Sequence, residues 1–302
     1  MTASRVRLGA VGYLNARPLV YGLERQPRFE LRYDIPSECA RLLHAHDIDV
    51  GLIPSIEYLR GPQPYMFVPG PAVISRGAVA SVAIYTRVEP RDIRSIAMDT
   101  SSRTSVALAT VMLRRAYGVR PDAVPMAPDL ESMLAQADAA LIIGDTALLL
   151  DHTKVGLPLS SPDGVGGTGR PDTTDVAAPV DLSATDSSAV RKIDLGELWT
   201  QTTGLPFVYA AWAGWTGALR PDDVRALRQA RDEGVADSDA VARAYYPDDP
   251  EREAVARRYL RDNIRYFLGD EELDGLRTFY RYAAEERLVP SAGELRFFSE
   301  QA

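Results

Sequence analysis

Three times in this chain a short apolar run ends in a polar turn and passes into a helix-like pattern. The turns are Gly12-Tyr13-Leu14-Asn15-Ala16-Arg17-Pro18-Leu19, Ser101-Ser102-Arg103-Thr104-Ser105 and Ile142-Ile143-Gly144-Asp145. Strands that alternate with helices in this way imply an α/β fold. The same layout puts backbone N–H groups and small hydroxyl or amide side chains at helix N-termini, where an anion is favoured. Three such turns from separate parts of one chain predict a cleft that holds a small carboxylate.

The rest of the pattern places these turns. Residues 6–11 read as a strand, and Pro18 sits where a helix can begin, since its ring presets φ and its missing N–H costs nothing there. Residues 29–35 alternate like a second strand, 40–46 are helical in pattern, and 50–53 form a short buried strand ending at Pro54. That βαβαβ order implies a parallel sheet with helices on both faces. Residues 79–86 read as a strand leading away, 94–98 as another, 104–117 as a helix and 138–143 as a buried strand before a helix from 146. Residues 207–212 read as a strand returning to the first unit. The tail is helical, with Leu273, Leu276, Tyr280 and Ala283 at helical spacing, and Val255, Tyr259 and, further on, Phe267 likewise.

Residues 160–190 are mostly Gly, Pro, Ser, Thr and Asp, with no aromatic. Such a segment cannot bury enough apolar area to offset its ordering entropy, and it reads as a flexible insertion loop with no chemical role. The length of 302 residues suits two domains. Two crossings between α/β units and a helical return predict an α/β fold of the two-lobed, type 2 periplasmic-binding-protein-like kind, with a hinged interlobe cleft. Residues 1–84 with 210–302 form the first lobe, and 85–209 the second.

A net charge of −8 argues against nucleic acid or an anionic membrane as partner. It also means that an anionic ligand must be drawn by local groups. Cys39 is the single cysteine, so neither an intrachain disulfide nor a thiolate zinc site is expected. The first residues lack the apolar stretch of a secretory leader, and no apolar run approaches spanning length, so a soluble cytoplasmic protein is expected. His44 and His46 do not share a helix face, and metal binding is not expected.

Each candidate site residue has a plainer alternative. The Asn15 amide could hold a substrate hydroxyl or carboxylate, or could merely shape its loop as an Asx turn. One of Ser101, Ser102, Thr104 and Ser105 is explained by helix capping. Four hydroxyls in five residues exceed what a cap needs and point to an anion. Arg103 could pair with a carboxylate or sit in a surface ion pair. Asp145, after Gly144, could cap its helix, or face the cleft as a weak base or as an orienter of a leaving hydroxyl. Ser81 is a candidate ligand contact at the hinge.

Residues 11–19, 49–55 (Asp-Val-Gly-Leu-Ile-Pro-Ser), 101–105, 142–145, 194–199 (Asp-Leu-Gly-Glu-Leu-Trp) and 203–212 (Thr-Gly-Leu-Pro-Phe-Val-Tyr-Ala-Ala-Trp) closely resemble, in order, the signature blocks of the chorismate dehydratases of the futalosine route to menaquinone. The resemblance implies a hydro-lyase that converts chorismate to 3-(1-carboxyvinyloxy)benzoate, with a small dianionic substrate and no metal, flavin or nicotinamide. It implies Asn15 and Asp145 as catalytic candidates, and Ser81, Ser101, Ser102, Arg103, Thr104, Ser105 and Gly144 as substrate contacts. The oligomeric state, monomer or homodimer, is left open.

The base is the weak point: Asn15 cannot serve, no histidine is placed for it, and the substrate's own enolpyruvyl carboxylate is the alternative. Three rival functions share the fold. The sister 1,4-dihydroxy-6-naphthoate synthases place a His-Glu pair where this chain has Gly144-Asp145. A non-catalytic small-carboxylate binding protein would carry an export signal. A regulator's effector domain would follow a helix-turn-helix.

Overall fold

The computed structural model describes residues 5–155 and 189–299. The insertion loop expected at 160–190 lies outside the described residues except for Ala189 and Val190. β1 (Val6–Val11), β2 (Phe29–Asp34) and β3 (Val50–Pro54) form the parallel unit that the sequence predicts, with α1 (Pro36–His44) between β2 and β3. After β4 (Met66–Ser75) the chain leaves this sheet and builds a second one. Its strands are β5 (Val82–Thr86), β6 (Ser95–Met98), β7 (Asp122–Pro125), β8 (Ala139–Ile143) and β9 (Arg191–Asp194). The helices α2 (Arg103–Tyr117), α3 (Leu130–Gln136), α4 (Gly144–Leu149) and α5 (Leu195–Thr203) accompany them.

The chain returns through β10 (Phe207–Gly214) and ends in α6 (Pro221–Ala236), α7 (Ser238–Tyr245), α8 (Pro250–Asp262), β11 (Arg265–Phe267) and α9 (Asp270–Glu285). The first sheet has the order β11-β4-β10-β3-β1-β2 and the second β7-β6-β8-β5-β9. β10 runs antiparallel between β3 and β4, and all eight of its residues are buried. Its unbroken run of small and apolar side chains suits a central strand covered on both faces.

The strand partners put the two passages between sheets at 76–81 and 204–206. The boundaries expected from sequence, 84/85 and 209/210, fall within β5 and β10. Three local expectations differ from the structure. Pro18 does not open an α-helix; it lies inside a 3-10 helix, Leu14–Val20. Residues 79–81 are a turn rather than the start of a strand, with Ala80 at φ 63°. Phe267 is not on a helix: α8 stops at Asp262, and Arg265–Phe267 pairs with the edge of β4.

One carboxylate explains the turn. Asp194 accepts the N–H groups of Val79 at 3.0 Å and Ala80 at 2.7 Å on the first passage. It also caps α5 through the N–H groups of Gly196 and Glu197, both at 3.0 Å. Two residues on, Gly196 lies so close to the Gly77 carbonyl that an added Cβ would stand 2.7 Å from that oxygen.

A second polar cluster anchors α2. The Glu57 side chain is 1% exposed and accepts from His44 Nε2 at 3.0 Å, Arg60 Nη1 at 2.9 Å and Arg103 Nη1 at 2.8 Å. Burial opposes its ionisation, but the His44 hydrogen bond and the charges of Arg103 and Arg60 outweigh that penalty and hold the carboxyl below its usual range. Among the described residues no helix is long and apolar enough to cross a membrane.

Asp194→Ala strands four N–H groups at once and is expected to cost about 2–4 kcal/mol in urea denaturation. Asp194→Asn also destabilises, because an amide nitrogen cannot accept from Ala80. Glu57 contributes stability that is complete above its ordinary pKa of 4.5 and is lost as pH falls through the lower folded value. Glu57→Gln is therefore expected to lose about 1–3 kcal/mol near neutral pH and to show a shallower decline below roughly pH 5.

Candidate active site

A cavity lies between the two sheets, with about 480 Å³ of non-atom space including its mouth. Only about 40 Å³ of it is open to the centre of a water-sized sphere, so the walls stand close together. Val11, Leu52, Val73, Val79 and Ile143 supply an apolar wall. Asn15, Ser81, Ser102, Ser105 and Gly144 supply the polar part, so five of the expected residues meet here.

Each comes from a different local structure. Asn15 is in the first turn of the 3-10 helix that follows β1. Ser81 closes the turn held by Asp194. Ser102 is the N-cap residue of α2, and its side chain makes no capping bond. Its oxygen instead accepts from Ser105 at 3.1 Å, which leaves the Ser102 hydroxyl proton for the cavity. The first N–H groups of α2 have no acceptor within the helix and add positive potential at this wall. Gly144 has φ 66°, and an added Cβ would stand 3.1 Å from the Tyr13 ring, so glycine lets that ring close over the cavity.

The remaining expected residues lie around this ring. Ser101 accepts from the Tyr13 hydroxyl at 3.1 Å, and its carbonyl accepts from Ser37 N at 2.9 Å, tying the sheets together at one rim. Thr104 is fully buried and receives the Ile56 N–H at 3.1 Å. Arg103 is held on Glu57. Asp145 accepts from Leu14 N at 3.2 Å and from the Tyr245 hydroxyl at 2.5 Å, so both carboxylate oxygens are engaged across the cleft. Burial lifts its carboxyl above the usual range, while the Tyr245 and Leu14 hydrogen bonds and the Arg17 charge pull the other way.

Among the described residues lining the cavity none is Asp, Glu, His, Lys or Arg. The titratable groups on its wall are Tyr13 and Tyr209, whose hydroxyls burial keeps protonated. The cavity can therefore hold an anion by hydrogen bonds and helix dipole, in an apolar setting where such bonds are strong. Among the described residues no cluster of His, Cys, Asp or Glu is arranged to hold a metal ion.

Four tyrosines were not candidates from sequence. Tyr13 stands within a quoted block, next to the turn, and that position was its only signal. Tyr209 is on the returning strand, its hydroxyl 3.0 Å from Ser75 Oγ. Tyr245 and Tyr259 come from the C-terminal helices. Their partners are more than 90 residues away in sequence, at Asp145 and Ser81, and no local pattern marks them.

Residues 6–159 and 180–285 match a family described as menaquinone biosynthesis. A chorismate dehydratase of Thermus thermophilus is 32% identical over 279 residues, covering 90% of this chain and 93% of that protein. Solved structures share the fold at lower identity. One, from Archaeoglobus fulgidus, aligns with a TM-score of 0.67 at 14% identity, over 96% of this chain and 100% of the other. The alkanesulfonate-binding protein of Xanthomonas axonopodis pv. citri, solved with MOPS, aligns at 0.60 and 14%, over 97% and 96%. The chain belongs to the menaquinone-biosynthesis family, built on the two-sheet fold of the periplasmic binding proteins.

Proposed function

We propose that this chain is a chorismate dehydratase, a carbon–oxygen hydro-lyase acting in the cytoplasm. The Thermus relative supports the substrate, and one observation supports the chemistry: a cavity between the sheets whose described lining residues supply hydrogen-bond donors and include no charged side chain. Chorismate's C3 hydrogen is vinylogous to the ring carboxylate, so its removal spreads charge into that group. Donors such as Ser102 and the first N–H groups of α2 stabilise the charge where it develops. The C4–O bond then breaks, and an aromatic ring forms.

Among the described residues lining the cavity none is a carboxylate, histidine or lysine, which favours a base supplied by the substrate. The substrate's enolpyruvyl carboxylate takes the C3 proton, and the departing hydroxide recovers it as water, while the protein supplies conformation. In this scheme Asn15 and Ser81 orient the reacting ring. Ser101, Arg103, Thr104 and Asp145 hold the surrounding walls, with Asp145 fastening the two sides of the cleft. The sheets act as two lobes that part at the passages 76–81 and 204–206 to admit the substrate.

Purified protein mixed with chorismate alone is expected to release one water and an aromatic product, followed by chromatography and mass. Saturable binding without turnover would instead mark a ligand-binding protein and sink the dehydratase assignment. Asn15→Ala is expected to lose about 100-fold or more in kcat, the scale of a lost transition-state donor. Asp145→Asn, assayed beside it, is expected to stay within about tenfold of wild type, since general-base loss typically costs 10²–10⁴-fold. An Asp145→Asn collapse as deep as that of Asn15→Ala, in folded protein, would make Asp145 the base.

A further inference from the structure

One cavity-lining hydroxyl is met behind the wall by a phenol. The Tyr259 hydroxyl, on α8, is 2.6 Å from Ser81 Oγ. The Tyr259 ring is 2% exposed and does not line the cavity. Ser81 precedes β5 and Tyr259 belongs to the C-terminal helices, so two distant segments meet at this hydroxyl.

We infer that Tyr259 is a positioning residue that fixes the hydrogen-bond polarity of Ser81 toward the substrate. This rests on the dehydratase reading. A buried phenol keeps its proton, because burial opposes the phenolate. Either hydroxyl of the pair could donate by geometry. The phenol is the more acidic of the two, so its proton goes to Ser81 Oγ and the serine's own hydrogen turns away from Tyr259 and into the cavity. Ser81 then presents a fixed donor to an anion without reorganising during the reaction.

The test is a set of steady-state measurements on chorismate with wild type, Tyr259→Phe, Ser81→Ala and the double variant, each checked by thermal unfolding. Tyr259→Phe is expected to lower kcat about 10–100-fold, the scale seen when a hydrogen-bond partner behind a reacting group is lost. KM should stay within about threefold, because the loss falls on the reacting geometry rather than on ground-state binding. In the Ser81→Ala background the same change should cost less than about threefold, since the two residues act as one unit.

If Tyr259→Phe does not fold, Tyr259→Leu in the same cycle tests the same coupling, and again the losses should fall short of multiplying. Undiminished kcat in a folded Tyr259 variant, or losses that multiply in the cycle, would overturn the inference alone. A wild type that binds chorismate without dehydrating it would overturn the dehydratase reading, and the inference with it.

Discussion

The cavity depends on one carboxylate that never touches it. Asp194 binds two N–H groups from the outgoing passage and two from the helix that leads into the return. Hydrogen bonds to a charged acceptor are the stronger kind, and here four of them converge on a single side chain. The two passages are thereby fastened side by side, which sets the relation of one sheet to the other. Ser81 and Val79, both on the cavity wall, owe their places to this turn. The close approach at Gly196 completes the join, because backbone meets backbone where a side chain would keep them apart.

On that frame the site divides polar labour by distance from the cavity. Charged groups stand outside and are spent on structure: Arg103 on Glu57, Asp145 on Leu14 and Tyr245. Neutral donors stand inside. In a medium of low polarity a fixed hydroxyl or N–H acts on developing charge with little reorganisation, whereas a buried unpaired ion would carry a large desolvation cost. A protein with net charge −8 can thus receive an anion without a cation on the cavity wall, provided the donors are aimed.

Much of this was legible in the sequence, for a definite reason. The turns after β1, β6 and β8 are local devices, in which a strand, a polar residue and a helix start lie next to one another in the chain. Asn15, Ser102, Ser105 and Gly144 follow from that layout together with the family blocks. What escaped was set by tertiary contact. Arg103 and Thr104 share the serine-rich turn, yet a helix start sends its successive side chains in different directions, and these two point to Glu57 and Ile56. Phe267 kept helical spacing, but the open edge of β4 took its backbone into a strand. Tyr259 reads as an ordinary core position on an amphipathic helix, and only the folded chain brings its hydroxyl to Ser81.

The left-handed backbone at Gly144 couples one backbone position to both walls of the cavity. φ 66° is uncommon for an L side chain, and a β-carbon there would stand 3.1 Å from the Tyr13 ring. A larger residue would push that ring outward by a few tenths of an ångström, and Tyr13 also holds Ser101 at the rim. A single hydrogen atom in place of a side chain thus keeps the closing ring and the serine-rich turn in register.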